Sequence, residues 1–227
     1  MSSRDGRCFI VTIPSSEIKK IFSWVLKHPT EETGGDLFGS WHKEEDGVES
    51  KLNIRHVIGA GKLCRRTTFS FHQDVRYSSS IAAYLYEHHG MDHVAVWHSH
   101  HSGLDQPSAP DENALWNTMP SHALNRFALI IASIADESNE GVICSVALKC
   151  FLFEIDESTN EHLPVLPGKF RVLHEQDQTV CFRSDVKEVE LEAGAERLLS
   201  VEELECFDII EAETRIVGSR KKNVCWT

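Results

Sequence analysis

The sequence predicts one α/β domain followed by an acidic extension. Three observations predict it: short β-branched runs alternate with amphipathic helical segments up to about residue 165, the apolar content is 41%, and the charge shifts sharply beyond Pro164. With 227 residues the chain can bury one substantial core. The expected organisation is a domain over residues 1–165 and a C-terminal extension over residues 166–227.

The run Cys8 to Ile13 is short and β-rich, and Pro14, Ser15 and Ser16 then supply helix-start chemistry. In the helix that follows, Ile18, Ile21, Phe22 and Val25 fall at i, i+3, i+4 and i+7, a single apolar face suited to packing on a sheet, and Pro29 marks its end. Residues 35–41 and 51–58 are strand candidates around a charged turn at Asp46-Gly47, which predicts a hairpin. A further short strand is expected from Thr67 to Phe71. Asp74 can then cap a helix in which Tyr77, Ile81, Tyr84, Leu85 and His88 share a face.

Val94-Ala95-Val96-Trp97 is too short and too β-branched for a helix, and it leads directly into His98-Ser99-His100-His101. A core strand therefore ends on histidines. Gly103, Pro107 and Pro110 make the next ten residues a loop, and a short helix carrying Asp111, Leu115 and Trp116 follows. Phe127 to Ile134 and Val142 to Ile155, joined through Asp136 to Gly141, form another hairpin.

Several function classes are excluded by composition. Between Asp185 and Glu213 there are 11 acidic and 2 basic residues, or −9 of the formal net charge of −12, before a basic run from Arg215 to Lys222. That balance argues against nucleic acid as a partner, because phosphate binding depends on clustered Lys and Arg. The acidic stretch reads as a solvated helix face. Residues 1–7 are polar with no apolar segment, and no run of 18 apolar residues occurs, so neither a signal peptide nor a membrane partner is expected and the chain is read as cytoplasmic. Seven scattered cysteines without a Cys-x-x-Cys pair read as reduced thiols.

The chemistry concentrates at His98 and His100. On an extended strand, positions i and i+2 point to the same side, so two imidazoles can converge on one metal ion. A catalytic zinc site takes three protein ligands and keeps a fourth position for water, and Asp111 can return across the loop as the third. Hydrolysis also needs a group to move protons, and Glu32, ahead of Thr33-Gly34-Gly35, suits that task. Ser108, three residues before Asp111, is a candidate oxyanion donor. A chance His-x-His pair is common among 13 histidines. The pair together with Ser108 and Asp111 at these spacings is expected by chance on the order of 0.003 times per chain.

His98-Ser99-His100, seven residues, Ser108, two residues and Asp111 resemble the JAMM signature His-x-His-x7-Ser-x2-Asp. Upstream, Glu32-Thr33-Gly34-Gly35-Asp36-Leu37-Phe38-Gly39 resembles the family segment in which a Glu opens a Gly-containing strand. The resemblance extends over about residues 8–160 in element order. It implies the α/β sandwich of MPN/JAB proteins, similar to cytidine deaminases, with a mixed sheet. It further implies Zn2+ on His98, His100 and Asp111, Glu32 as acid/base and Ser108 as oxyanion support.

Many relatives cut isopeptide or peptide bonds after the C-terminal Gly-Gly of ubiquitin-like proteins. Bacterial stand-alone members accompany ubiquitin-like conjugation systems, including antiphage ones. The resemblance thus implies a ubiquitin-like protein or its conjugate as substrate, and E1- and E2-like proteins of the same system as further partners. It also places substrate-facing insertions at residues 59–70 and 117–126, both short here. Alternative readings are a sulfur-carrier-protein or small-amide hydrolase, and a non-catalytic scaffold of the kind formed by relatives that lack the ligands. His101 departs from the family, in which Pro is common at this position, and reads as a loop histidine. His72, His88, His89 and His93 fit no ligand spacing, and Trp97 and Trp116 read as core residues.

Overall fold

A computed structural model describes residues 8–43, 49–100, 104–137 and 143–174. The elements run β1 (Cys8–Pro14), α1 (Ser15–Lys27), β2 (Gly34–Lys43), β3 (Glu49–Val57), β4 (Arg65–Thr67), β5 (Ser70–His72), α2 (Val75–His89), β6 (Asp92–His100), α3 (Ala109–Ser121), β7 (Arg126–Glu137), β8 (Ile143–Glu154), β9 (Leu166–Pro167) and β10 (Lys169–Leu173). Eight strands form one mixed sheet in the order β10-β1-β3-β2-β6-β7-β8-β9. This is the α/β architecture expected from the alternating patterns.

Side-chain alternation along the central strands sorts the core into two faces. On β7, Ala128, Ile130 and Ala132 join the cluster that includes Ile18, Ile21, Phe22 and Val25 of α1. Phe127, Leu129 and Ile131 point the other way, toward Leu115 and Met119 of α3. Next to α3 on that second face, Ile81 and Leu85 of α2 pack on Phe38 and Ile58. Trp97 is fully buried and stacked on Trp24 with ring centroids 5.6 Å apart, and its Nε1 donates to the Ile58 carbonyl, so it is a core residue. Trp116 sits half-buried between Phe153 and His162.

Three expectations change in detail. The strand expected over residues 67–71 is two strands, β4 and β5, paired antiparallel across a turn. The cause is Thr67, whose Oγ1 accepts the Phe69 amide at 3.2 Å and meets Ser70 Oγ at 2.8 Å, so the chain reverses and leaves Phe69 exposed. The apolar face of α2 is narrower than expected, because Tyr77, Ile81 and Leu85 are buried whereas His88 is exposed and bonds the Tyr84 carbonyl. The helix carrying Asp111 is not short, extending over 13 residues.

The sheet also runs on past residue 165. β9 pairs with β8 and, one residue later, β10 pairs parallel with β1, so the segment links the two ends of the strand order. Gly168 sits in this seam, its amide donating to the Cys150 carbonyl at 2.9 Å. A Cβ there would collide with the Phe9 ring and lie 2.8 Å from Cys150 Sγ. Residues 175–227, with the acidic stretch and the basic run, lie outside the described residues, as do residues 1–7, the Asp46-Gly47 turn and His101. Among the described residues Cys150 is a buried free thiol, and burial pushes its pKa up to about 12. No described helix is long and apolar enough to cross a membrane.

Candidate metal centre

β6 delivers His98 and His100 to one face of the sheet. Trp97 lies on the α1 face, so its neighbours 98 and 100 project toward α3, at the end where the strand runs out. The start of α3 meets them there. Ser108 is the N-cap and Pro110 occupies the first turn, where its missing N–H costs no hydrogen bond. A capping box closes the helix end: Ser108 Oγ accepts from the Asp111 amide at 3.3 Å, and Asp111 Oδ2 accepts from the Ser108 amide at 2.7 Å. The same carboxylate oxygen takes the Ser108 hydroxyl at 2.6 Å.

This cap aims Asp111 at the histidines. Its Oδ1 lies 3.3 Å from His98 Nε2, its Oδ2 lies 3.4 Å from His100 Nε2, and the two Nε2 atoms are 2.9 Å apart. The three ligand atoms fall within 4.8 Å of one another, the only such cluster of three or more among the described residues. Tetrahedral ligation with bonds of about 2.0–2.2 Å puts donor atoms about 3.3–3.5 Å apart, so each imidazole already meets one oxygen of Asp111 near that spacing, while the two Nε2 atoms lie closer than it.

The tautomer fits as well. His100 Nδ1 lies 3.1 Å from the Leu104 carbonyl, which can accept only from an Nδ1–H. Nε2 of His100 then carries its lone pair toward the cluster. When His100 is protonated, it donates a hydrogen bond to the Asp111 carboxylate, which raises the His100 pKa against the lowering effect of burial. Burial also works to raise the Asp111 pKa, but hydrogen bonds from His100, His98 and Ser108 overcome it and hold the carboxyl far below the usual range. One carboxylate and two imidazoles converging at this distance suit a divalent cation.

Glu32 reaches the same corner through sheet register. β2 pairs antiparallel with β6 with Gly34 opposite His98, and continuing the register back two residues sets Glu32 beside His100. Its charge contributes to the raised His100 pKa. Gly34 is required at its position, since a Cβ would meet His98 Cβ at 3.0 Å and the Phe71 ring at 2.9 Å. The five residues singled out from the sequence therefore lie together.

What the sequence did not single out are the groups that hold these residues: the Leu104 carbonyl behind His100, Ser99, Thr33 and Arg66. Only Ser99 carried a local signal, as the residue between the histidines that must face the other side of the strand. Among the described residues His72, His88, His89 and His93 stay out of the cluster; His93 Nε2 lies 3.2 Å from the buried Asp36 instead.

The family model for prokaryotic homologues of the JAB domain matches residues 14–147, more than half of the chain and all of the elements that form the site. The chain belongs to the prokaryotic JAB family. This JAB domain is 32% identical over 123 residues to a CD-NTase/cGAS isopeptidase of Enterobacter hormaechei subsp. hoffmannii (strain UCI 50). That match covers 54% of this chain and 63% of the relative, so the chain spans less than two thirds of the relative's length. Among solved structures, the solution structure of a Desulfitobacterium hafniense protein is similar at a TM-score of 0.49 and 16% identity, covering 73% of this chain and 94% of that one.

Proposed function

We propose that this JAB domain is a zinc-dependent isopeptidase or peptidase that releases or processes a ubiquitin-like protein by cutting after its C-terminal glycine. His98, His100 and Asp111 hold the metal, Glu32 is the acid/base and Ser108 supports the site. The observation that carries the reading is the convergence of the three ligand atoms within 4.8 Å at the strand end beside Glu32. Membership of the JAB family and the isopeptidase name of the relative support the choice of bond. That name also suggests a conjugate of a CD-NTase or cGAS-like protein as the substrate.

When bound, zinc supplies Lewis acidity, lowering the pKa of a coordinated water to about 7 and polarising a carbonyl oxygen. The protein's part begins with Asp111 and His100, oriented by the Ser108 cap and the Leu104 carbonyl so that their donor atoms face the ion. Glu32 takes the proton released from the attacking water and returns it to the leaving amine, so one carboxylate serves as base and then as acid. Water and amide are consumed, and a carboxylate and an ammonium group leave, both protons of the water ending on the nitrogen. Gly34 lets β2 lie close against β6 at His98, because a Cβ there would collide with the Trp97 carbonyl oxygen.

Zinc content of the purified protein, measured beside cleavage of ubiquitin-like proteins fused or isopeptide-linked at Gly-Gly, tests the reading. About one zinc per chain and cleavage are expected. Glu32→Gln should keep zinc and lose turnover by at least roughly 10²-fold, whereas His98→Ala and Asp111→Ala should lose both. Absence of zinc binding would sink the proposal, and full turnover in Glu32→Gln would remove Glu32 from the mechanism.

A further inference from the structure

Between the metal-binding strand and the acid/base group lies a run of hydrogen bonds that the reaction itself does not consume. Ser99 is completely buried on the face of β6 opposite His98 and His100. Its Oγ accepts the Thr33 amide at 2.9 Å, and its own amide donates to the Thr33 carbonyl at 2.7 Å. Thr33 is also buried, and its Oγ1 accepts Nε–H of Arg66 from β4 at 3.1 Å. One residue back, the Glu32 amide donates to the Thr67 carbonyl at 2.8 Å.

Glu32 and Thr33 precede the first residue of β2, so the regular strand does not include them. They are held instead from one side by the strand that carries the metal ligands and from the other by the β4–β5 hairpin. The Arg66 bond is charge-assisted and directional, stronger than a neutral contact and intolerant of a displaced partner.

We propose that Arg66, acting through Thr33, is a positioning residue for Glu32, so that the β4–β5 hairpin and the acid/base carboxylate form one mechanical unit. This rests on the role given to Glu32 above. Proton transfer requires Glu32 within hydrogen-bond reach of the water, and a loosened segment sacrifices rate more than binding. A polypeptide seated against the hairpin would order Glu32 and so act on kcat.

The test uses the full chain with Thr33→Val, Arg66→Ala, Arg66→Lys and the Thr33→Val/Arg66→Ala double variant. Thr33→Val keeps the shape and both backbone bonds to Ser99 while removing the acceptor. Arg66→Lys keeps the positive charge, which also lies close enough to His28 to add to burial in lowering that imidazole's pKa, but it lacks the Nε–H. With a ubiquitin-like protein joined through Gly-Gly to a fluorogenic amine, each variant should lose kcat by roughly 10- to 100-fold at little changed KM and unchanged zinc content. The double variant should be no worse than the worse single one. Amide hydrogen exchange of the peptide spanning residues 31–34 should accelerate in all of them at an unchanged melting temperature.

Wild-type exchange and kcat in Arg66→Ala, full rescue by Arg66→Lys, or additive losses in the double variant would each overturn the proposal. Glu32→Gln runs alongside: wild-type turnover there would defeat the functional reading, and exchange at residues 31–34 would still decide whether Arg66 holds the segment.

Discussion

Ser108 shows how one side chain serves both folding and chemistry. Its hydroxyl hydrogen is directed to Asp111 Oδ2 and its lone pair to the Asp111 amide, so in this arrangement it orients the Asp111 carboxylate while capping α3. Donating to an oxyanion requires that hydrogen to rotate away from the carboxylate. Ser108→Ala is therefore expected to weaken zinc affinity by roughly 10- to 100-fold, as loss of an outer-shell partner does, which a competitive chelator titration reads. At saturating zinc, a residual rate loss of roughly 10² to 10³ would belong to oxyanion support, and a restored rate would leave Ser108 the orienting role alone. His100 depends similarly on the Leu104 carbonyl, and the loop that carries it is tied to β8 by the Asp105–Lys149 ion pair. That pair is exposed, so its removal should be nearly neutral to stability.

At the scale of elements, α1 is fastened to the sheet by a charge as well as by its apolar face. Glu17 is buried, and its carboxylate accepts the Val57 amide of β3 at 2.8 Å and pairs with Lys20 at 3.0 Å. Burial alone would raise its pKa, but Lys20, His56 and the Val57 amide together lower it below the ordinary 4.5. A carboxyl whose folded pKa is depressed stabilises the fold fully above its unfolded value, and this contribution fades as pH falls below about 4.5 toward the folded pKa. Glu17→Ala should destabilise the protein by about 3 kcal/mol near pH 7, because a buried amide and a largely buried lysine lose their partner. The gap to wild type should shrink in thermal melts taken below pH 4. A gap that persists in acid would mean that packing, not the ionised carboxylate, accounts for the loss.

Across the whole molecule, the segment following Val165 joins the two ends of the sheet. Leu166 is buried, and Phe170 and Val172 pack on the same cluster as α1 and Phe9. β9 and β10 thus carry the sheet on to Leu173. A chain ending at His174 serves as the reference, because it keeps every described strand. One ending at Val165 should lose on the order of 5 kcal/mol and express poorly, since it uncovers three apolar side chains and two strand edges. Equal melting of the two truncations would mean that residues 166–174 add nothing to the stability of the sheet.

The sequence by itself determined most of the element order up to β8 and the candidate ligand trio His98, His100 and Asp111. Both depend on short-range geometry: i and i+2 on a strand share a face, and Ser108 with Asp111 is a capping box whose carboxylate must lie at a helix start. Tertiary structure alone decided what lies across strands. Ser99 and Thr33 are 66 residues apart and meet only because β2 pairs with β6 in one register, and that register brings Glu32 to His100. Arg66 enters through a hairpin that the sequence reads as a single strand, and residues 166–173 enter through a closure between strands at opposite ends of the order. Local preference cannot encode such meetings, because each is set by the summed packing of distant apolar faces on one sheet.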